Sequence, residues 1–152
     1  MVAVDLDGAL GDTRSLWQAW LAHAARRFAR IAPLDAAQLP QDRVAAAHAL
    51  DRWAEAGVGD WRRALERFAE DNAPVHLRPD PAANSAVRKL KRSGTEVVVV
   101  TDAPEELARV ALAHLGLARS VDALEAGRSP LEGRDSLRVL RTGAELAAAA
   151  AA

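Results

Sequence analysis

Apolar positions along the 152 residues follow two rhythms. Four consecutive valines close on a threonine in "TEVVVVT", residues 95–101. An unbroken β-branched run of this kind predicts a strand covered on both faces, as in a parallel sheet. "VAVDL" at 2–6 predicts a second, shorter strand, and "SVDAL" (120–124) and "SLRVL" (136–140) are weaker strand candidates. Between the two strong strands the rhythm becomes helical. Trp17, Leu21, Ala24 and Phe28 recur at three-to-four spacing within 14–30, and Ala46, Leu50 and Trp53 within 43–56. Trp61, Ala64, Leu65 and Phe68 form a third stripe in 60–73, behind Asp60 as N-cap.

Further on, Asp80 as N-cap, Pro81 in the first turn and Gly94 as stop punctuate a helix over 81–93. Another runs from about Pro104 to Leu115, with Glu105 and Glu106 in its first turn and Gly116 after it. "AELAAAAAA" predicts a final helix. Helix, strand, helix, strand after a first strand is the order of an α/β layered domain. The helical bundle is inserted between the first strand and the rest.

Composition sharpens this division. All four tryptophans (Trp17, Trp20, Trp53, Trp61) and both phenylalanines (Phe28, Phe68) lie in the inserted bundle. They are expected to form its core. Twenty basic against 21 acidic side chains, net −1, give no electrostatic footprint for nucleic acid or an anionic membrane. The absence of cysteine excludes disulfides, thiolate metal sites and thiol nucleophiles. No stretch approaches the ~18 apolar residues of a membrane span. Asp5 and Asp7 stand where a secretory leader would need a basic start and an apolar run. The expected location is therefore cytoplasmic; the oligomeric state is left open.

The chemistry is concentrated in "VDLDGALGDT". Asp5 and Asp7 end a strand, where parallel sheets bind ligands, and Gly8 allows the chain to turn sharply. Alternation places both carboxylates on one side, with Leu6 pointing into the core. Two such charges repel unless a cation or a shared proton relieves them, so the pair is either a hard divalent metal site or an acid/base couple. An ordinary strand-to-loop turn is the plain alternative. A calcium loop is excluded: counting from Asp5, the sixth position is Leu10 and the twelfth Leu16. Asp12 or Thr13 is expected to cap the next helix. The second strand also ends in polar residues, Thr101 and Asp102, close to a helix start that can cradle an anion. If the two strands are adjacent, carboxylates and cradle share one crevice, a combination suited to phosphoryl transfer.

At this point "VAVDLDGALGDT" resembles the first motif of the haloacid dehalogenase (HAD) superfamily, and "VVVVTDAP" is similar to its second. The resemblance implies a Rossmann-like parallel-sheet core over 1–13 and 76–152, with an α-helical cap inserted at 14–75. It implies Asp5 as the nucleophile, forming an aspartyl-phosphate, and Asp7 as the acid and base. Mg²⁺ would bind Asp5 and the backbone carbonyl of Asp7, and Thr101 with the backbone near Asp102 would hold the phosphate. The second aspartate favours a phosphatase over a dehalogenase, because a departing halide needs no proton.

The chain departs from the family pattern in places. Ala9 stands where Thr or Val is usual, and Asp102 where Asn is common. The third motif's lysine is missing from "EAGRSPLEGRD", where Arg128 or Arg134 are the available substitutes. Arg141 and Thr142 occupy the end of the fourth strand, where acids completing the metal site belong, and Glu145 is placed to face a helix dipole instead. The stretch 125–135 is too short for a crossover helix. None of the four histidines has metal spacing with another. Two functions are thus expected: a Mg²⁺-dependent phosphomonoesterase acting on a small-molecule phosphate, or a HAD-fold binding or regulatory module.

Overall fold

The computed structural model describes residues 1–133 and 137–152. Its centre is a parallel sheet of β1 (Val2–Asp5), β2 (Val97–Val100), β3 (Ala123–Glu125) and β4 (Val139–Leu140), in the order β3-β2-β1-β4. β1 and β2 are neighbours, with Val2 opposite Val97 and Asp5 opposite Val100. On the other side of β1, Val4 lies opposite Leu140. All four valines of β2 are buried, as their unbroken run predicts. The weaker strands are shorter than their patterns predict: both begin three residues later, β3 ends at Glu125 and β4 at the expected Leu140, and the start of the 136–140 run lies outside the described residues.

The two faces of the sheet are covered differently. Crossovers between parallel strands are right-handed, so connections running outward along the sheet use one face and a connection running back uses the other. Helices α4 (Pro81–Arg92) and α5 (Glu105–His114) precede and follow β2 on outward steps, and α6 (Gly143–Ala151) packs against α4. Their apolar stripes join Val4, Val97, Val99 and Leu140 in the main core. The return from β3 to β4 contains no helix among the described residues. Ala3, Val98 and Val100 are nonetheless buried, packed with Leu137 and Val139.

Inserted between β1 and α4 are α1 (Arg14–Arg27), α2 (Arg43–Trp53) and α3 (Trp61–His76). The predicted caps form: Asp60 accepts from the Arg63 N–H at 3.1 Å, and Asp80 from Ala82 at 2.9 Å. All four tryptophans are buried; Trp20, fully enclosed, lies 5.5 Å from Trp17 and 5.7 Å from Trp61 between ring centroids. The insert is docked on the sheet domain through α3 against α5. Arg62 reaches Glu106 at 3.6 Å and Arg109 reaches Glu66 at 3.8 Å across that contact. Among the described residues, no helix is long and apolar enough to cross a membrane.

The approach to β3 is tied by Asp122, which pairs with Lys91 and accepts the Val97 N–H at 2.7 Å. Lys91 first, then that N–H, holds the carboxyl below the ordinary carboxylate range. A depressed folded pKa stabilises fully above the unfolded value and less as pH falls through the folded one. Asp122→Asn is accordingly expected to lose less stability than the parent below pH about 4, read as urea midpoints across an acid series. An equally steep acid limb in both proteins contradicts this.

Candidate active site

β1 stops at Asp5 because the chain folds at once into a wide helical turn over Leu6–Leu10. The turn is closed by the Gly11 N–H on the Leu6 carbonyl at 3.0 Å. Gly8 makes it possible. Its φ is +103°, and a Cβ there would sit 2.6 Å from the Arg141 carbonyl oxygen at the end of β4. Both the dihedral and the backbone contact demand glycine. Gly8→Ala is expected to cost roughly 2 kcal/mol of stability or more, measured by urea unfolding. A variant as stable as the parent would show that the two strand ends are not held this closely.

The turn returns Asp7 to the same side as Asp5, as strand alternation predicts. Both line a cavity of ≈ 550 Å³ with Asp102, Arg14, Arg43 and Arg141; Trp17, Gln18, Gln41 and Pro130 complete its walls. Burial pushes the Asp5 carboxyl up to about 6. The charges of Asp7 and Asp102 add to this, while the Asp7 N–H, donated to Asp5 Oδ1 at 3.2 Å, and the Arg141 charge oppose it.

Asp7 is more heavily engaged. It accepts the Thr13 N–H at 2.8 Å and the Thr13 hydroxyl at 2.9 Å, and its Oδ2 meets the guanidinium of Arg43. Arg43 opens α2, so it comes from the insert, yet only 5 % of it is exposed. Its Nε and Nη2 donate to Asp102 at 3.0 and 2.7 Å, and its Nη1 donates to the Thr13 hydroxyl at 2.7 Å. The Thr13 hydroxyl therefore accepts from Arg43 while donating to Asp7. That accounts for a fully buried threonine which makes no helix cap with its side chain. Asp12 takes the capping role, accepting the Arg14 N–H at 3.0 Å.

The other expected site residues divide. Asp102 joins the cavity because β2 is adjacent to β1. Thr101 is buried beneath that loop, its Oγ1 accepting the Ala103 N–H at 3.1 Å, and is not among the lining residues. Arg128 pairs with Glu125 at 3.0 Å, half-exposed, and is also not among them. Arg134 lies outside the described residues. No histidine lines the cavity.

Arg43 has no place in the sequence-level site. Its one signal is a cation in the first turn of a helix, against the macrodipole, immediately after the acidic cap Asp42. Arg141 is legible as a strand-end residue, but its entry into the cavity depends on the pairing of β4 with β1. Glu145 forms a capping box with Thr142: its Oε2 accepts the N–H groups of Arg141 at 2.6 Å and Thr142 at 3.1 Å. Among the described residues, no group of three or more His, Asp or Glu could hold a metal ion.

Carboxylates gathered at the carboxyl ends of parallel strands, under an inserted helical layer, stand where open α/β sheets bind their ligands. The haloacid dehalogenase-like hydrolase family model matches residues 2–151, and the chain belongs to that family. No curated protein matches the sequence. Among solved structures it is similar to a candidate beta-phosphoglucomutase from Thermotoga maritima, at 19 % identity and TM-score 0.51 over 99 % of this chain and 82 % of that one. It is also similar to a haloacid dehalogenase-like family hydrolase from Streptococcus pneumoniae, at 17 % identity and TM-score 0.50, covering 98 % and 67 %. A HAD phosphatase from Thermococcus onnurineus matches at 18 % identity and TM-score 0.48, over 82 % of this chain and 60 % of that one. At these identities the first two likenesses are of fold alone, and this chain is shorter than all three.

Proposed function

We propose that this chain hydrolyses a small phosphate monoester through a covalent aspartyl-phosphate on Asp5. The supporting observation is the position of Asp5: at the carboxyl end of the central strand, facing a cavity of ≈ 550 Å³, with Asp7 beside it. An Asp5 oxygen attacks phosphorus as the bond to the leaving oxygen breaks, and Asp7 supplies that oxygen's proton. Asp7 then takes a proton from water, whose oxygen attacks phosphorus and releases phosphate, restoring Asp5.

Phosphatases of this family typically use Mg²⁺, which the sequence resemblance assigns to Asp5 and the carbonyl of Asp7. Among the described residues, the donors do not suit it. Mg²⁺ demands an octahedron of oxygens anchored by carboxylates. Here the carboxylates of Asp7 and Asp102 are held by Arg43, Glu145 is spent on a capping box, and the end of β4 presents Arg141.

A second reading, a binding or regulatory module, has one observation in its favour. Asp7 Oδ2 is covered by Arg43, a contact that must loosen before a proton can pass to a leaving group. One assay separates the two: aryl phosphate hydrolysis by the purified chain, in Mg²⁺ and in EDTA, beside Asp5→Asn. Turnover that depends on Asp5 supports the hydrolase. Its absence in both media, with phosphate still bound, supports the module.

A further inference from the structure

The three arginines of the crevice are not equivalent. Arg43 is bound to Asp7, Asp102 and Thr13. Arg14 is taken by Asp12, whose two oxygens accept its Nε and Nη2 at 2.8 and 2.7 Å. The guanidinium of Arg141 has no carboxylate partner among the described residues, although it lines the same cavity as Asp5. It also sits at the right level: Leu140 pairs with Val4, so Arg141 stands beside Asp5 across the β4–β1 edge.

The backbone of Arg141 is held from both sides. The Glu145 carboxylate of the capping box takes its N–H, and its carbonyl oxygen lies against Gly8. A cation carried on that anchored backbone, lining the same cavity as Asp5, repels a divalent metal and attracts a dianion. Its planar fork of donors matches two phosphate oxygens at once.

We propose that this crevice binds its phosphate ligand without a divalent metal, with the guanidinium of Arg141 as the cation that holds it. The inference rests on the phosphate-site reading above but not on turnover. A phosphate placed between Asp5 and Arg141 faces the charge of Arg141, while Arg43 pairs with the two remaining acids of the wall, Asp7 and Asp102. The end of β4 thus supplies the site with a positive charge built into the chain.

The test is calorimetric titration of the purified full chain with inorganic phosphate, once in excess EDTA and once in Mg²⁺. Affinity is expected to agree within about twofold between the two media. Arg141→Gln is expected to weaken it by about tenfold or more, while Arg88→Gln, an exposed arginine on α4, leaves it unchanged. Thermal melts check that Arg141→Gln is folded, as its exposed side chain implies. Phosphate bound only in Mg²⁺, bound equally by Arg141→Gln, or not bound at all would each overturn the inference. A chain that binds phosphate in EDTA but hydrolyses nothing keeps this inference and loses the hydrolase reading. A chain that binds and hydrolyses only with Mg²⁺ does the reverse.

Discussion

Asp5→Asn is expected to lower aryl phosphate hydrolysis by ~10³-fold or more while leaving the fold at least as stable as the parent. Asparagine keeps the oxygen that accepts the Asp7 N–H, so the turn after β1 retains its anchor. What it loses is the carboxylate that attacks phosphorus. The stability half of the expectation follows from the raised pKa. Burial pushes Asp5 up to about 6, so its ionised form is disfavoured in the folded state. A carboxyl whose folded pKa exceeds its unfolded value costs stability as pH rises between the two, here from about 4 to about 6. A neutral isostere escapes that cost, and the urea midpoint of Asp5→Asn at neutral pH should equal or exceed the parent's. The same shift sets the pH profile of the parent. The nucleophile is protonated below pH about 6, so kcat/KM should rise with pH up to that point and then level off. A variant less stable than the parent would contradict the pKa argument, and one that retains parental turnover would remove Asp5 from the role proposed for it.

How much of this was legible beforehand depended on how local each signal is. The valines of β2, the Asp60 and Asp80 caps and the glycine after the first strand each act within a few residues, and each forms the element it predicts. The paired aspartates were legible for the same reason. The adjacency of β1 and β2, posed as a condition at the sequence level, is met, and it brings Asp102 to Asp5. Arg43 was illegible because its partners lie 36 and 59 residues away along the chain. Nothing local distinguishes an arginine bound for a buried carboxylate from one bound for solvent. Of the two expected caps, Asp12 takes the role, and only the fold shows that the Thr13 hydroxyl is turned to Asp7 and Arg43 instead. The stretch 125–135 reads as too short for a crossover helix and holds none among its described residues, but what covers the sheet's second face instead is a tertiary fact. The valine run announces burial on both sides but not what supplies it.

Arg43→Ala is expected to cost about 3–5 kcal/mol of stability, the range for removing one partner from a buried ion pair. The guanidinium satisfies Asp7, Asp102 and the Thr13 hydroxyl together. Alanine leaves two carboxylates facing one crevice with no cation between them. It also frees the start of α2 from the two strand ends that it bridges. Arg43→Lys should recover only part of the loss, because one ammonium cannot span three acceptors as a planar fork does. Pairing Arg43→Ala with Asp102→Asn should cost less than the sum of the single changes, since the second change removes a charge the first has orphaned. Because the contact is largely shielded from water, the loss should change little with added salt, unlike that from a surface pair. Urea unfolding of the parent, Arg43→Ala, Arg43→Lys, Asp102→Asn and the double variant at two ionic strengths measures all of this. If Arg43→Ala costs less than about 1 kcal/mol, as a surface pair would, then Arg43 does not hold the insert to the strand ends. Asp7 would then be free to exchange protons without first releasing a guanidinium, and the observation that favours a binding module over a hydrolase would lose its force.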